Sequence, residues 1–178
     1  MPRLKTVEPN EAQGQIREIY EAIEHKMGTV PNIFKGMAAS PVCLRAYLML
    51  DDLVAEGELT GAEQEAVRLV VSQVNGCDYC LAAHTRVGKA HGLTDDQIAA
   101  IRQGRPDDDK LAALVTFTLN ILETKGNVDD GQLQAFRDAG YTDAHVGDVL
   151  TLVAQKTLSN YFNHVHQTKL DFEPAPPV

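Results

Sequence analysis

Cys77, Cys80 and His84 stand three and four residues apart in the segment Asn75-Gly76-Cys77-Asp78-Tyr79-Cys80-Leu81-Ala82-Ala83-His84. On a helix those spacings bring the three side chains to one face. A Cys-x-x-Cys pair in that geometry can close a disulfide across one turn. His84, one turn beyond Cys80, can take a thiol proton or hold a thiolate as an ion pair. A helix that starts after Gly76 adds a positive dipole end, which also favours thiolates. A nucleophilic sulfur, a resolving sulfur and a base are what dithiol redox chemistry requires. The dipole favours Cys77 as the more acidic thiol, and the spacing to His84 favours Cys80.

Other uses of these residues compete. Two cysteines at this spacing can be buried core residues. Zinc is a sharper rival, because Cys77, Cys80, His84 and His91 are all zinc-ligand types. On a continuous helix, however, His91 lies about 21 Å of axial rise from Cys77 at roughly 1.5 Å per residue, too far for four ligands to share one ion. Only a two- or three-ligand site completed by another chain survives that test, so the expectation is no metal and no cofactor. His164 and His166 lie about 200° apart on a helix and cannot form a metal clip. Cys43, among Pro41, Val42, Leu44 and Tyr47, reads as a small buried hydrophobe.

Glu65 precedes the pair by eleven intervening residues, and Glu65-x11-Cys77-x-x-Cys80-x3-His84 resembles the signature of alkylhydroperoxidase D (AhpD)-like proteins in the carboxymuconolactone decarboxylase superfamily. The similarity is clearest from about residue 45 to 102, within one domain over 1–178. The length and helical pattern resemble the peroxidase-related members. The resemblance implies that Cys80 is the peroxidatic cysteine, attacking a small hydroperoxide to become a sulfenic acid. Cys77 would then resolve it to a disulfide. It further implies that His84 and Glu65 form a proton relay, and that a dithiol donor (lipoyl-linked or thioredoxin-like) re-reduces the pair. Homo-oligomers, trimers or hexamers, are the implied assembly. The family prototype has a histidine between the cysteines where this chain has Tyr79. Tyrosine, with a reference pKa of about 10, cannot act as a neutral-pH base, although it can donate a hydrogen bond to a peroxide or sulfenate.

The elements that must position these groups read as helices nearly throughout. Apolar residues recur at helical period and Gly and Pro fall between segments, so the expected fold is all-α with seven to nine helices. Helices are expected over about 10–26, 41–55, 60–74, 77–91, 94–102, 106–125, 129–139 and 142–167. Thr60-x-x-Glu63 and Thr94-x-x-Gln97 have capping-box spacing, and Asp107, Asp108 and Asp109 suit a helix start. Residues 28–40 read as a loop with a short helical turn anchored by Phe34. Glu65 falls at the border of its helix's apolar arc, where a glutamate is ordinarily solvated or salt-bridged. Asn160, Tyr161, Phe162 and Asn163 form a polar-aromatic stretch that suits core or interface packing, or a pocket wall. The tail FEPAPPV is expected to be extended and mobile. An offset of 82 residues lays Thr60–His84 over Thr142–His166 with seven identities, a possible internal repeat.

Sixteen Lys and Arg against twenty-five Asp and Glu give a formal charge of −9, the opposite of what nucleic acid or an anionic membrane attracts. No apolar run reaches membrane-spanning length, the stretch MPRLKTVEPNEAQGQ lacks the apolar h-region expected of a secretory signal, and three cysteines do not make a disulfide scaffold. The expected setting is a reducing cytoplasm. Two other functions stay open: a carboxymuconolactone decarboxylase-like enzyme on a small lactone, whose relatives generally lack the Cys pair, and a non-enzymatic redox-sensing oligomer.

Overall fold

A computed structural model describes residues 2–178, and among them every regular element is helical. After a 3-10 turn at Pro9–Glu11 come α1 (Gly14–Met27), α2 (Asn32–Met37), α3 (Pro41–Val54), α4 (Gly61–Val74), α5 (Asp78–Ala90), α6 (Asp95–Arg102), α7 (Asp109–Thr124), α8 (Asp130–Asp138) and α9 (Asp143–His166). The expected all-α architecture of up to nine helices is the one found.

Local chemistry sets the boundaries. Thr60, Thr94 and Asp129 each close a reciprocal capping box, with Glu63, Gln97 and Gln132 respectively. Asp108 accepts from the Leu111 amide at 2.7 Å. These bonds satisfy amide groups that a helix start leaves without partners.

Helix α4 is the centre of the molecule, packed by α5, α6, α7 and α9. Nine consecutive residues, Gln64 through Ser72, are buried. Burial on all sides replaces the one-faced pattern with an almost continuous one, and each large apolar side chain in it contributes about 1.5–3 kcal/mol. Val67 and Val71 face a cluster that includes Phe117, Phe136 and Tyr141, whose rings stack at 4.2 and 4.4 Å. Ala66, Leu69 and Val70 face Ile98, Ile101 and Val115. A third cluster joins α1, α2 and α3 to Cys77, Tyr79 and Cys80.

Two expectations change here. The C-terminal tail is not free: Phe172 packs on Tyr79 at 6.0 Å, Arg86 lies over the Phe172 ring, and Arg102 Nη1 donates to the Pro176 carbonyl at 2.6 Å. The proline-rich composition that suggested mobility fits an extended strap, held by side chains that are remote in sequence. Over the 82-residue offset, the first segment breaks between α4 and α5 whereas the second is one uninterrupted helix, α9. Thr60 and Thr142 both cap a helix start, but the break after α4 has no counterpart in α9.

Candidate functional site

The turn between α4 and α5 places the cysteines. Asn75 caps α4, Gly76 takes φ +64°, and the amides of Gly76 and Cys77 donate to the carbonyls of Gln73 and Ser72 at 3.1 and 2.9 Å. This is a Schellman closure, and glycine meets its left-handed position without a Cβ penalty. Cys77 is therefore both the last residue of the closure and the N-cap of α5, with φ −93° and ψ 92°. It does not lie on the helix as the spacing argument placed it. Its sulfur accepts the Cys80 amide at 3.4 Å, as a capping oxygen would. Cys80 sits in the first turn, so the helix dipole acts on both sulfurs and does not choose between them.

The surroundings do choose. Both cysteines are nearly sealed from solvent, at 1% and 2% exposure, and both thiols are free. Asn163 of α9 donates through Nδ2 to Cys80 Sγ at 3.2 Å and reaches Cys77 Sγ at 3.7 Å. A hydrogen bond from Cys77 draws the Cys80 thiol down to about 5; burial opposes this, and the Lys156 charge and a bond from Asn160 reinforce it. The same bond to Cys80, with burial, pushes the Cys77 thiol up. The environment therefore favours ionisation of Cys80 over Cys77.

His84 is built into a buried chain of charges. Its Nδ1 lies 2.8 Å from Glu65 Oε2 and its Nε2 lies 2.8 Å from Lys156 Nζ. A lysine ammonium can only donate, so Nε2 accepts and Nδ1 carries the proton that bonds to Glu65. Burial, then the Lys156 charge, lowers the His84 pKa and keeps the ring neutral, against the pull of Glu65. The ring nitrogens are both committed, and His84 reaches Cys80 only by its field, correcting the expectation of a direct thiol contact.

Glu65 is not at a solvated border. It is 0% exposed because α4 is enclosed on every side. Arg68 Nη1 donates to its Oε1 at 2.6 Å and Arg68 Nη2 donates to Asp51 Oδ1 at 3.4 Å, where Gln155 Nε2 also donates at 2.9 Å. Burial penalises the Glu65 charge, but His84 and Arg68 outweigh it and hold the carboxyl at about 2. Lys156 completes the chain, donating to Tyr47 Oη at 3.1 Å. Burial works against its charge, and Tyr47 and Cys80 outweigh that to raise its pKa.

Tyr79 points away from the sulfurs. Its hydroxyl donates to Asp171 in the tail and accepts the Ile33 amide at 3.4 Å. Asp171 also accepts the Asn32 amide at 2.9 Å. The hydroxyl offered for a peroxide or sulfenate is thereby engaged, and its role is to hold the strap. Cys43 is partly buried against the first cluster, with its thiol pKa raised by burial. Phe34 packs beside Tyr47 at 5.8 Å. His91 caps the far end of α5, and no grouping of three or more metal-ligating side chains occurs among the described residues. Clefts of about 410 and 320 Å³, between α7 and α8 and beside α1, touch none of the site residues.

Lys156, Arg68, Asp51 and Tyr47 escaped the spacing argument. One signal for Lys156 was available. It falls on the face of α9 defined by Val149, Leu152, Ser159, Asn160, Asn163 and His166, all buried, so a lysine there must have a built partner.

Residues 43–114 match the Carboxymuconolactone decarboxylase family. Over 104 residues the chain is 26% identical to the alkyl hydroperoxide reductase Rv2159c of Mycobacterium tuberculosis, an alignment covering 58% of this chain and 30% of that protein. The fold is similar to a peroxidase-related protein with an alkylhydroperoxidase AhpD core from Ralstonia eutropha JMP134 (TM-score 0.88, 24% identity, 96% and 92% of the two chains). It is also similar to a peroxidase-related protein from Silicibacter sp. TM1040 (0.79, 19%, 97% and 93%). The debrominase Bmp8 in complex with 2,3,4-tribromopyrrole shares the fold as well (0.79, 14%, 95% and 91%).

Proposed function

We propose that this chain, which matches the Carboxymuconolactone decarboxylase family over residues 43–114 and shares the fold of an AhpD-core protein, is an AhpD-like thiol-dependent peroxidase reducing small hydroperoxides through Cys80 and Cys77. The observation that carries this reading is the inequality of the two buried sulfurs. Cys80 is held as a thiolate by Asn163, Cys77 and nearby positive charge, and Cys77 keeps its proton beside it.

In this reading the Cys80 thiolate attacks the outer oxygen of the hydroperoxide, forming an S–O bond and breaking the O–O bond. Cys77 then attacks the sulfenic sulfur, the disulfide forms, and hydroxide leaves as water with the Cys77 proton. Glu65 orients His84 by fixing its tautomer, and His84 in turn orients the Lys156 ammonium. A dithiol donor returns the pair to thiols. An apolar stripe on α3 (Val42, Met49 and Leu53, all exposed) supports assembly into a homo-oligomer. Among the described residues no helix is long and apolar enough to cross a membrane, and the proposed setting is cytoplasmic.

The test uses anaerobically reduced protein and cumene hydroperoxide. Wild type should consume roughly one equivalent and lose two hydrogens in intact mass, as one disulfide forms. Cys77→Ser should stop at a sulfenic acid, trapped by dimedone at Cys80. Consumption by Cys80→Ser at the wild-type rate would overturn the assignment.

A further inference from the structure

Lys156 is a buried ammonium whose hydrogen-bond partners are a neutral imidazole and a phenol, not a carboxylate. It is 1% exposed, and an unpaired charge so enclosed is costly unless another group answers it. The groups facing it can be assigned element by element. Tyr47 comes from α3, with its ring 5.2 Å from Nζ. Arg68 and Glu65 come from α4, where Glu65 is already bonded to Arg68 and to His84. His84 and Cys80 come from α5. Asp51 is taken by Arg68 and Gln155. The two carboxylates thus answer Arg68 and the imidazole, and the remaining group near Lys156 that can carry negative charge at neutral pH is the Cys80 sulfur.

The helices are arranged for that pairing. Asn163 of α9 bonds Cys80 of α5, and Lys156, two turns earlier on the same face of α9, bonds His84, one turn later on α5. The two helices therefore run antiparallel with Lys156 beside the Cys80–His84 turn.

We propose that Lys156 is the counter-charge of the Cys80 thiolate and the proton store of the cycle, with His84 positioning its ammonium. The ionised pair, Cys80 thiolate and Lys156 ammonium, is the resting form. When the thiolate attacks a hydroperoxide, the departing alkoxide takes the proton from Lys156 and leaves as the alcohol, so that Lys156 becomes a neutral amine. Disulfide formation then releases water with the Cys77 proton. A dithiol donor gives two electrons and two protons, restoring the Cys77 thiol and the ammonium–thiolate pair. The cycle closes with no proton left over. The proton-transfer half rests on the peroxidase reading; the charge pairing does not.

Two substitutions separate the halves. Lys156→Met keeps an unbranched side chain, one atom shorter, and removes the charge. Lys156→Arg keeps the charge in a group that does not surrender its proton. The first readout is the pH dependence of iodoacetamide alkylation at Cys80, located by tandem mass spectrometry on the folded protein. Lys156→Met should move the midpoint up by about one pH unit or more, a tenfold loss of thiolate below it, and Lys156→Arg should stay near wild type. A Lys156→Met midpoint at the wild-type value overturns the charge pairing. The second readout is single-turnover consumption of cumene hydroperoxide, in which Lys156→Arg should fall about tenfold or more despite a wild-type midpoint. Wild-type turnover by Lys156→Arg overturns the proton store. Should Lys156→Met not fold, a Lys156→Gln alkylation midpoint decides the first half in the same way. If wild type consumes no peroxide yet the midpoints move as described, the peroxidase reading fails and the charge pairing stands.

Discussion

Replacing Glu65 by glutamine tests the buried charge chain most directly, because the side chain keeps its shape while losing the charge and exchanging one accepting oxygen for a donor. Glu65 Oε1 takes Arg68 at 2.6 Å and Oε2 takes His84 at 2.8 Å, with no solvent contact. Held at about 2 against an ordinary 4.5, the ionised carboxylate contributes about 3 kcal/mol to folding at roughly 1.36 kcal/mol per pH unit. Breaking a buried ion pair from one side costs about 3–5 kcal/mol on other grounds, so the two routes agree. For a chain of this size about 1 kcal/mol lowers the melting temperature by roughly 2–4 °C. Glu65→Gln at pH 7 should therefore melt about 6–12 °C below wild type. The pH dependence has a definite sign. A carboxyl depressed in the folded state stabilises above its unfolded value, and that stabilisation is lost as pH falls from about 4.5 towards 2. Wild type should lose this increment over that range and the variant should not, so their melting curves converge in acid. Scanning calorimetry at pH 7, 4.5 and 3 measures both effects. Equal melting temperatures at pH 7, or a constant gap across the series, would refute a buried, ionised Glu65.

Two further outcomes follow from packing around the site. A Cβ at Gly36 would lie 2.6 Å from Nε2 of the fully buried His166, so Gly36→Ala should cost about 1–3 kcal/mol, read as a melting decrease of several degrees. Unchanged melting would show that the ring can move aside. Tyr79→Phe removes the hydroxyl that anchors Asp171, and losing that bond, worth about 1 kcal/mol, should speed amide exchange in residues 169–176 and alkylation of Cys80 beneath the strap. Exchange in the tail at the wild-type rate would show that Phe172 and Arg86 hold it without the hydroxyl.

The helices were legible because their signals are local. Thr60 with Glu63, Thr94 with Gln97, and Asp108 are read within one turn and close their caps as expected. Cys77 was misplaced by one structural role, since a helix start and a capping residue differ by a single position and the closure at Gly76 decides between them. Glu65 was read as a border residue because the apolar arc of an isolated helix says nothing about how many neighbours it will receive. Four helices around α4 bury positions that periodicity assigns to the rim.

The residue types and spacing Glu65, Cys77, Cys80 and His84 determined by themselves that this chain carries a dithiol with a histidine and a carboxylate in order, on an all-helical frame. Capping and helical period act over three to seven residues, and those are distances a sequence displays. Tertiary structure alone decided which sulfur has the environment that favours ionisation, that His84 is spoken for on both nitrogens, and that the tail returns across Tyr79. Each of those depends on groups more than seventy residues away, Asn163, Lys156 and Asp171. A charge's partner is set by distance and desolvation in the folded interior, and neither quantity exists until the helices have packed.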